Sequence, residues 1–127
     1  MKNIKILLII ILSFFQLGFT IHGNHGCKDA SNYAKKIVEE VSMIIEESNF
    51  KNTDTKTFEA IIKNFKSTKY YSNKCNCSQA YQLAKDGEQY VKSMISLKDF
   101  NLTSDHLNNI SAISQGIVSC ITNCENN

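Results

Sequence analysis

The chain has 127 residues, a formal net charge of +2 at pH 7 and no proline. Its 14 basic residues are all lysines, so it lacks the guanidinium groups that bind phosphate in two-point contacts. This composition argues against a nucleic-acid-binding protein and against a strongly anionic partner. The sequence also carries no catalytic, cofactor or metal-binding motif, so we expect no enzymatic activity, no cofactor and no metal.

The first 20 residues have the pattern of a secretory signal peptide. Lys2 and Lys5 form a short basic region, Ile6–Leu12 is an uninterrupted apolar run, and Gly18 and Thr20 are small residues near a cleavage point. The apolar run is shorter than the roughly 20 residues that a membrane span needs. We therefore expect this segment to be removed rather than to anchor the chain.

The pattern predicts cleavage after Thr20, or alternatively after Gly23, and a mature protein that is a single helical domain over residues 21–127. Cleavage would remove Lys2 and Lys5 and bring the formal charge close to zero. We expect the mature protein to be secreted into the extracellular space and to have no membrane span.

Apolar residues recur at helical spacing in four segments of the mature chain, at about residues 29–48, 55–70, 78–97 and 105–123. Side chains that can cap a helix stand at three of these starts: Asp29 or Ser31, Thr53 or Asp54, and Thr103 or Ser104. The links between the segments are short, which forces consecutive helices to run antiparallel. The predicted fold is all-α, an up-down-up-down four-helix bundle stapled by disulfides. Gly87 lies within the apolar stripe of the third helix, where it would allow a neighbouring helix to approach closely.

Five cysteines follow the predicted signal peptide, and they are the most informative residues of the chain: Cys27, Cys75, Cys77, Cys120 and Cys124. Their spacing differs from the Cys-x2-Cys pairs of structural zinc sites, and an oxidising secretory route favours disulfides. The bundle topology places all five at one end, because the first and third helices start at the end where the fourth helix finishes.

The pairing of these cysteines leaves alternatives open. A bond between Cys75 and Cys77, or between Cys120 and Cys124, would be strained, so each cysteine is expected to reach another helix. The favoured prediction joins Cys75 and Cys77 to Cys120 and Cys124. It leaves Cys27 as the odd cysteine, which could link two chains into a disulfide-bonded homodimer. The alternative bridges Cys27 within its own chain and leaves Cys75 or Cys124 unpaired.

Three asparagines lie in N-glycosylation sequons, which are Asn76-Cys77-Ser78, Asn101-Leu102-Thr103 and Asn109-Ile110-Ser111. Asn101, in a predicted loop, is the best candidate for modification. Asn76 lies between two cysteines, where disulfide formation could block the transferase. Asn109 becomes a candidate if its helix face is solvated.

The second helix is locally basic. Lys56, Lys63 and Lys66 share one helical face, and Tyr70 and Tyr71 follow them. A solvated outer face is the simplest interpretation, and the functional alternative is a patch for glycans or anionic lipid headgroups.

His106 follows Asp105 at the start of the fourth helix. Adjacent helical residues point in different directions, so these two cannot form an oriented catalytic pair.

We therefore predict a secreted, non-enzymatic protein that acts through its surface, as an interaction factor, an effector or an antigen-like molecule, on an unknown extracellular protein partner. The alternative is a carrier of a small apolar ligand, held between the helices by Phe58, Phe65, Met43 and Met94.

Overall fold

The computed structural model describes residues 21–47 and 53–126, and the predicted signal peptide over residues 1–20 lies outside them. The described residues form four helices and no strand: α1 (Ile21–Glu46), α2 (Thr55–Lys74), α3 (Ser78–Ile95) and α4 (Ser104–Asn126). Helix α1 packs against α2 and α4, and α3 packs against the same two neighbours. The predicted disulfide-stapled four-helix bundle is confirmed.

The interior of the bundle is filled by aliphatic and aromatic side chains from all four helices. The largest of those that are less than 2% exposed are Phe58, Phe65, Ile37, Ile61, Leu107, Ile110, Ile117, Ile121, Val41 and Val91. Each contributes about 1.5–3 kcal/mol of gross burial energy, most of which offsets the conformational entropy lost on folding.

Helices α2 and α4 begin at the predicted capping residues. The Asp54 carboxylate accepts a hydrogen bond from the backbone N–H of Lys56 at 3.1 Å. At the start of α4, the Thr103 hydroxyl accepts from the backbone N–H of His106, and Nδ1 of His106 accepts in return from the Thr103 N–H at 3.0 Å. This reciprocal pair satisfies two amides that lack partners at a helix start, with histidine in the place that glutamate usually takes.

The predicted start of the first helix is wrong. Helix α1 begins at Ile21, so Asp29 and Ser31 lie inside it instead of capping it. The apolar spacing continues upstream of Ala34 through Ala30 to Cys27, and both of these residues are buried. Cys27, which precedes the predicted first helix, therefore lies within α1.

Helix α2 runs past its predicted end at Tyr70 to Lys74 and finishes in a tight turn. Asn76 has a left-handed backbone (φ 62°), and its N–H donates to the carbonyl of Asn73. The N–H of Cys77 donates to the carbonyl of Ser72 at 2.9 Å. These two bonds close a Schellman motif, in which asparagine tolerates the left-handed position better than most residues do. The turn reverses the chain within three residues, Cys75 to Cys77, and α3 starts directly after it.

Gly87 of α3 faces the ring of Phe65 in α2. It is buried, and a Cβ atom built on it would lie 2.5 Å from Cε1 of Phe65. The predicted role of this glycine in close helix packing is confirmed.

A buried carboxylate joins the same two helices. Glu88 of α3 is 7% exposed at its side chain and forms ion pairs with Lys69 of α2 at 3.0 Å and with Lys92 of α3 at 2.8 Å. Burial acts to raise the pKa of Glu88, but hydrogen bonds and positive charge from Lys92 and Lys69 outweigh it and lower the pKa below its ordinary value.

Replacing Glu88 with glutamine is expected to lower the free energy of unfolding by about 1–2 kcal/mol near neutral pH, a figure reduced because both lysines are partly exposed. Because the folded pKa is lowered, the carboxylate stabilises the fold above the unfolded pKa, and this contribution disappears as the pH falls through the folded pKa. Urea unfolding followed at several acidic pH values should therefore show a weaker pH dependence for Glu88→Gln than for the unmodified protein. Glu59→Gln, at an exposed position of α2, is the control and should leave the dependence unchanged.

Candidate functional site

The five cysteines lie at one end of the bundle, as predicted. Cys27 near the start of α1 is bonded to Cys75 at the end of α2, with their Cα atoms 5.4 Å apart. Cys77 at the start of α3 is bonded to Cys124 near the end of α4, with a Cα separation of 5.9 Å. The carbonyl oxygen of Cys120 lies 3.6 Å from Sγ of Cys77. Each bridge joins the start of one helix to the end of another, which is the pattern of antiparallel neighbours.

The favoured pairing of the cysteines is wrong. Cys27 is bridged within its own chain, as in the alternative pairing, but the unpaired cysteine among the described residues is Cys120 and neither Cys75 nor Cys124. Cys27 therefore has no free thiol with which to link two chains into the predicted homodimer. The physical reason is that Cys27 belongs to the core-facing stripe of α1, 3% exposed, and faces the last turn of α2. Extending the i, i+3, i+7 spacing upstream from Ala34 would have revealed this from the sequence.

Three tyrosines form a cluster next to the Cys27–Cys75 bridge, and we call Tyr33, Tyr70 and Tyr71 the tyrosine cluster. Tyr33 of α1 stacks on Tyr71 of α2, with ring centres 5.8 Å apart and an angle of 7° between the planes. Tyr70 meets Tyr71 nearly at a right angle, with ring centres 5.0 Å apart. Tyr70 is 59% exposed, whereas its two neighbours are half-buried. Stacked and edge-to-face contacts attract such rings to one another more strongly than burial alone does, and this attraction favours one fixed arrangement of the rings.

Two lysines lie against the tyrosine cluster. Nζ of Lys36 is 4.9 Å from the centre of the Tyr33 ring, and Nζ of Lys74 is 5.7 Å from the centre of the Tyr70 ring. Both distances allow a cation–π attraction between an ammonium group and the face of the ring beneath it. The cluster therefore combines rigid aromatic surface with positive charge.

A shallow cleft of about 450 Å³, open to solvent, extends from the tyrosine cluster along α1. Its lining includes Asp29, Asn32 and Glu39 beside Tyr33 and Lys36. Carboxylate and amide groups of this kind can hydrogen-bond to hydroxyl groups of a ligand.

Three of the four residues proposed to line a ligand cavity belong to the buried core, and the fourth is exposed. Phe58 and Phe65 are packed in the core at 1% exposure or less, whereas Met43 is 64% exposed. Met94 is buried and borders a separate open cleft near His106. A further open groove of about 340 Å³ lies between α1 and α4, with Val38 and Val118 in its lining. All three of these clefts are open to solvent.

His106 caps the start of α4. Its Nδ1 atom lies 3.0 Å from both the backbone N and the hydroxyl of Thr103, and its ring packs against Phe100. The imidazole makes no ion pair with a carboxylate among the residues that the structure describes. The capping role accounts for its contacts.

The three sequon asparagines are exposed. Asn76 occupies the left-handed turn between two bridged cysteines, and Asn101 lies in the connection between α3 and α4. The side-chain amide of Asn109 donates a hydrogen bond to the Tyr90 hydroxyl at 3.1 Å. Glycosylation at these positions stays a prediction.

Within the described ranges, no cluster of three or more histidine, cysteine, aspartate or glutamate side chains could hold a metal ion. None of the described helices is long and apolar enough to cross a membrane. Comparison of the chain with protein-family models, with curated proteins and with solved structures gives no match.

Proposed function

We propose that the protein is secreted, is not an enzyme, and acts by binding an extracellular partner through the tyrosine cluster. The observation that carries this proposal is the placement of Tyr70, which is 59% exposed yet held by Tyr71, itself stacked on Tyr33. An exposed aromatic side chain in a fixed position loses little further conformational entropy on binding, and tyrosine is enriched among the residues that dominate binding energy.

Export is supported by two independent features of the chain. The N-terminal sequence has the pattern of a signal peptide. The two disulfides join helices at one end of a small protein, and such bonds persist in oxidising compartments such as the extracellular space.

The carrier hypothesis has less support. Phe58 and Phe65 are packed in the core at 1% exposure or less, so their rings do not line an open cleft. The groove between α1 and α4 is open, whereas a carrier encloses most of the surface of its ligand.

Replacing Tyr70 with alanine is expected to weaken binding to the extracellular partner by about tenfold or more, because a central aromatic contact is worth about 1–2 kcal/mol or more. The full chain would be produced in a eukaryotic secretion host, purified from the medium, labelled and titrated onto intact cells of its own organism. Met43→Ala, which removes another exposed side chain, is the matched control and should bind as the unmodified protein does. Retention of the chain inside the host, or equal binding by Tyr70→Ala and the unmodified protein, would contradict the proposal.

A further inference from the structure

The charges of the bundle are distributed unevenly among its helices. Helix α2 carries five lysines and a single acidic residue, Glu59. Helix α4 carries Asp105 and Glu125 and no lysine. Although the net charge of the mature chain is near zero, the α2 side of the molecule is therefore basic. The local electrostatic potential, and not the net charge, governs which ligands approach a surface.

Most of the α2 lysines are free to bind a ligand. Lys69 is paired with Glu88, but Lys63 and Lys66 are exposed and form no ion pair among the described residues. Their spacing of three and four residues places them on the same helical face as Tyr70. The basic face of α2 thus runs directly into the tyrosine cluster, where Lys74 lies over the Tyr70 ring.

We infer that the ligand of the tyrosine cluster is an anionic glycan, a saccharide chain that bears sulfate or carboxylate groups. This inference rests on the proposed function, since it specifies the partner of the same surface. An aromatic ring offers an apolar face to the C–H groups of a sugar ring, and an ammonium group beside that ring can pair with an acidic substituent of the sugar. Nζ of Lys74 lies over the exposed Tyr70 ring, 5.7 Å from its centre, so a sugar unit that packs against this ring lies close to an ammonium group.

The surroundings of the cluster favour a glycan over a lipid surface. Binding to a membrane interface requires aliphatic or aromatic side chains that insert among the acyl chains. Within the described ranges, the exposed large aliphatic residues are Met43 and Ile45, in the last turn of α1, and Leu97, just after α3. Tyr33 lies near the middle of α1, about 15 Å along the helix axis from Met43. The cleft beside Tyr33 instead presents the amide of Asn32, which can donate and accept hydrogen bonds with sugar hydroxyls, and the carboxylate of Asp29, which can accept them.

The test is a calorimetric titration of the full secreted protein with defined probes. Each titration is carried out at two salt concentrations. The probes are a heparin oligosaccharide, which carries sulfate, an oligogalacturonate, which carries only carboxylate, and neutral dextran of similar length. Vesicles containing phosphatidylserine and a polyglutamate peptide represent the two other anionic classes. We expect at least one of the two anionic saccharides to bind in a saturable and salt-sensitive manner, and we expect dextran not to bind. The saccharide that binds more tightly identifies the acidic group that the protein prefers.

Three variants, one with a single substitution and two with a pair of substitutions, locate the binding surface. Tyr70→Ala, and separately Lys66→Gln with Lys74→Gln, should each weaken saccharide binding by about tenfold or more. Lys85→Gln with Lys98→Gln removes the same charge from exposed positions elsewhere and should change affinity by less than about threefold. Circular dichroism melting of each variant verifies that the fold is intact.

Binding of vesicles or polyglutamate without binding of either anionic saccharide would overturn the inference, as would equal weakening by the two lysine pairs. If neither saccharide binds while Tyr70→Ala still weakens cell-surface binding, the glycan assignment fails and the proposed function stands.

Discussion

Replacing Cys27 and Cys75 together with alanine is expected to lower the free energy of unfolding by about 4 kcal/mol, which follows from the chain-entropy treatment of a closed loop of this size. The two cysteines are separated by 48 positions in the sequence, so the bridge removes a large part of the conformational freedom of the unfolded chain. Both are replaced together so that no new free thiol can exchange with the Cys77–Cys124 bridge. Guanidinium unfolding followed by circular dichroism measures the change.

Cys120→Ser is the matched control, because Cys120 is unpaired and half-buried. It should change the free energy of unfolding by less than about 1 kcal/mol. A loss for Cys120→Ser as large as that for the double variant would contradict the assigned pairing. The double variant should also bind more weakly through the tyrosine cluster, because the bridge joins α1 and α2 beside the stacked rings of Tyr33 and Tyr71.

Replacing Gly87 with alanine is expected to destabilise the protein by about 1–3 kcal/mol, even though alanine favours a helix over glycine by about 1 kcal/mol. The added methyl group would lie 2.5 Å from the ring of Phe65, which is fully buried, so the ring would have to shift within the core. Thermal and urea unfolding of the variant measure the loss.

Gly116→Ala is the control for this prediction. Gly116 also lies inside a helix, but a methyl group there would lie 3.5 Å from Cδ1 of Leu83, an ordinary van der Waals distance. We expect this variant to gain up to about 1 kcal/mol of stability from helix propensity. Stabilisation by both alanines would show that α2 and α3 do not approach each other at Gly87 as described.

The helical spacing of apolar residues was enough to predict the bundle, because helix formation and short links are local properties of the chain. The common end of the five cysteines followed from that topology alone. The partner of each cysteine did not follow, because it depends on where α1 begins. Ile21–Gly26 carries glycines and histidines that weaken the helical signal, although the core-facing spacing continues through Ala30 to Cys27.

The candidate site was predictable only in part. The sequence of α2 indicated a basic face that ends in Tyr70 and Tyr71, and the structure places both in the cluster. Tyr33 could not be assigned to it, because the contact between Tyr33 and Tyr71 depends on how α1 and α2 are aligned along their axes. The same limit applies to Glu88. The sequence alone gives no sign that it differs from the exposed acidic residues, because its ion pair with Lys69 depends on how α2 packs against α3.

Tyrosine footprinting tests most directly the claim that the protein acts through the tyrosine cluster. The protein, free or bound to cells of its own organism, would be treated with a mild iodinating reagent, and the modified peptides would be quantified by mass spectrometry. The chain has five tyrosines, of which Tyr81 and Tyr90 lie on α3 outside the cluster and serve as internal references. We predict that modification of Tyr70 falls on binding while that of Tyr81 and Tyr90 does not change. Equal modification of Tyr70 in the free and bound protein, or protection confined to Tyr81 and Tyr90, would contradict the account.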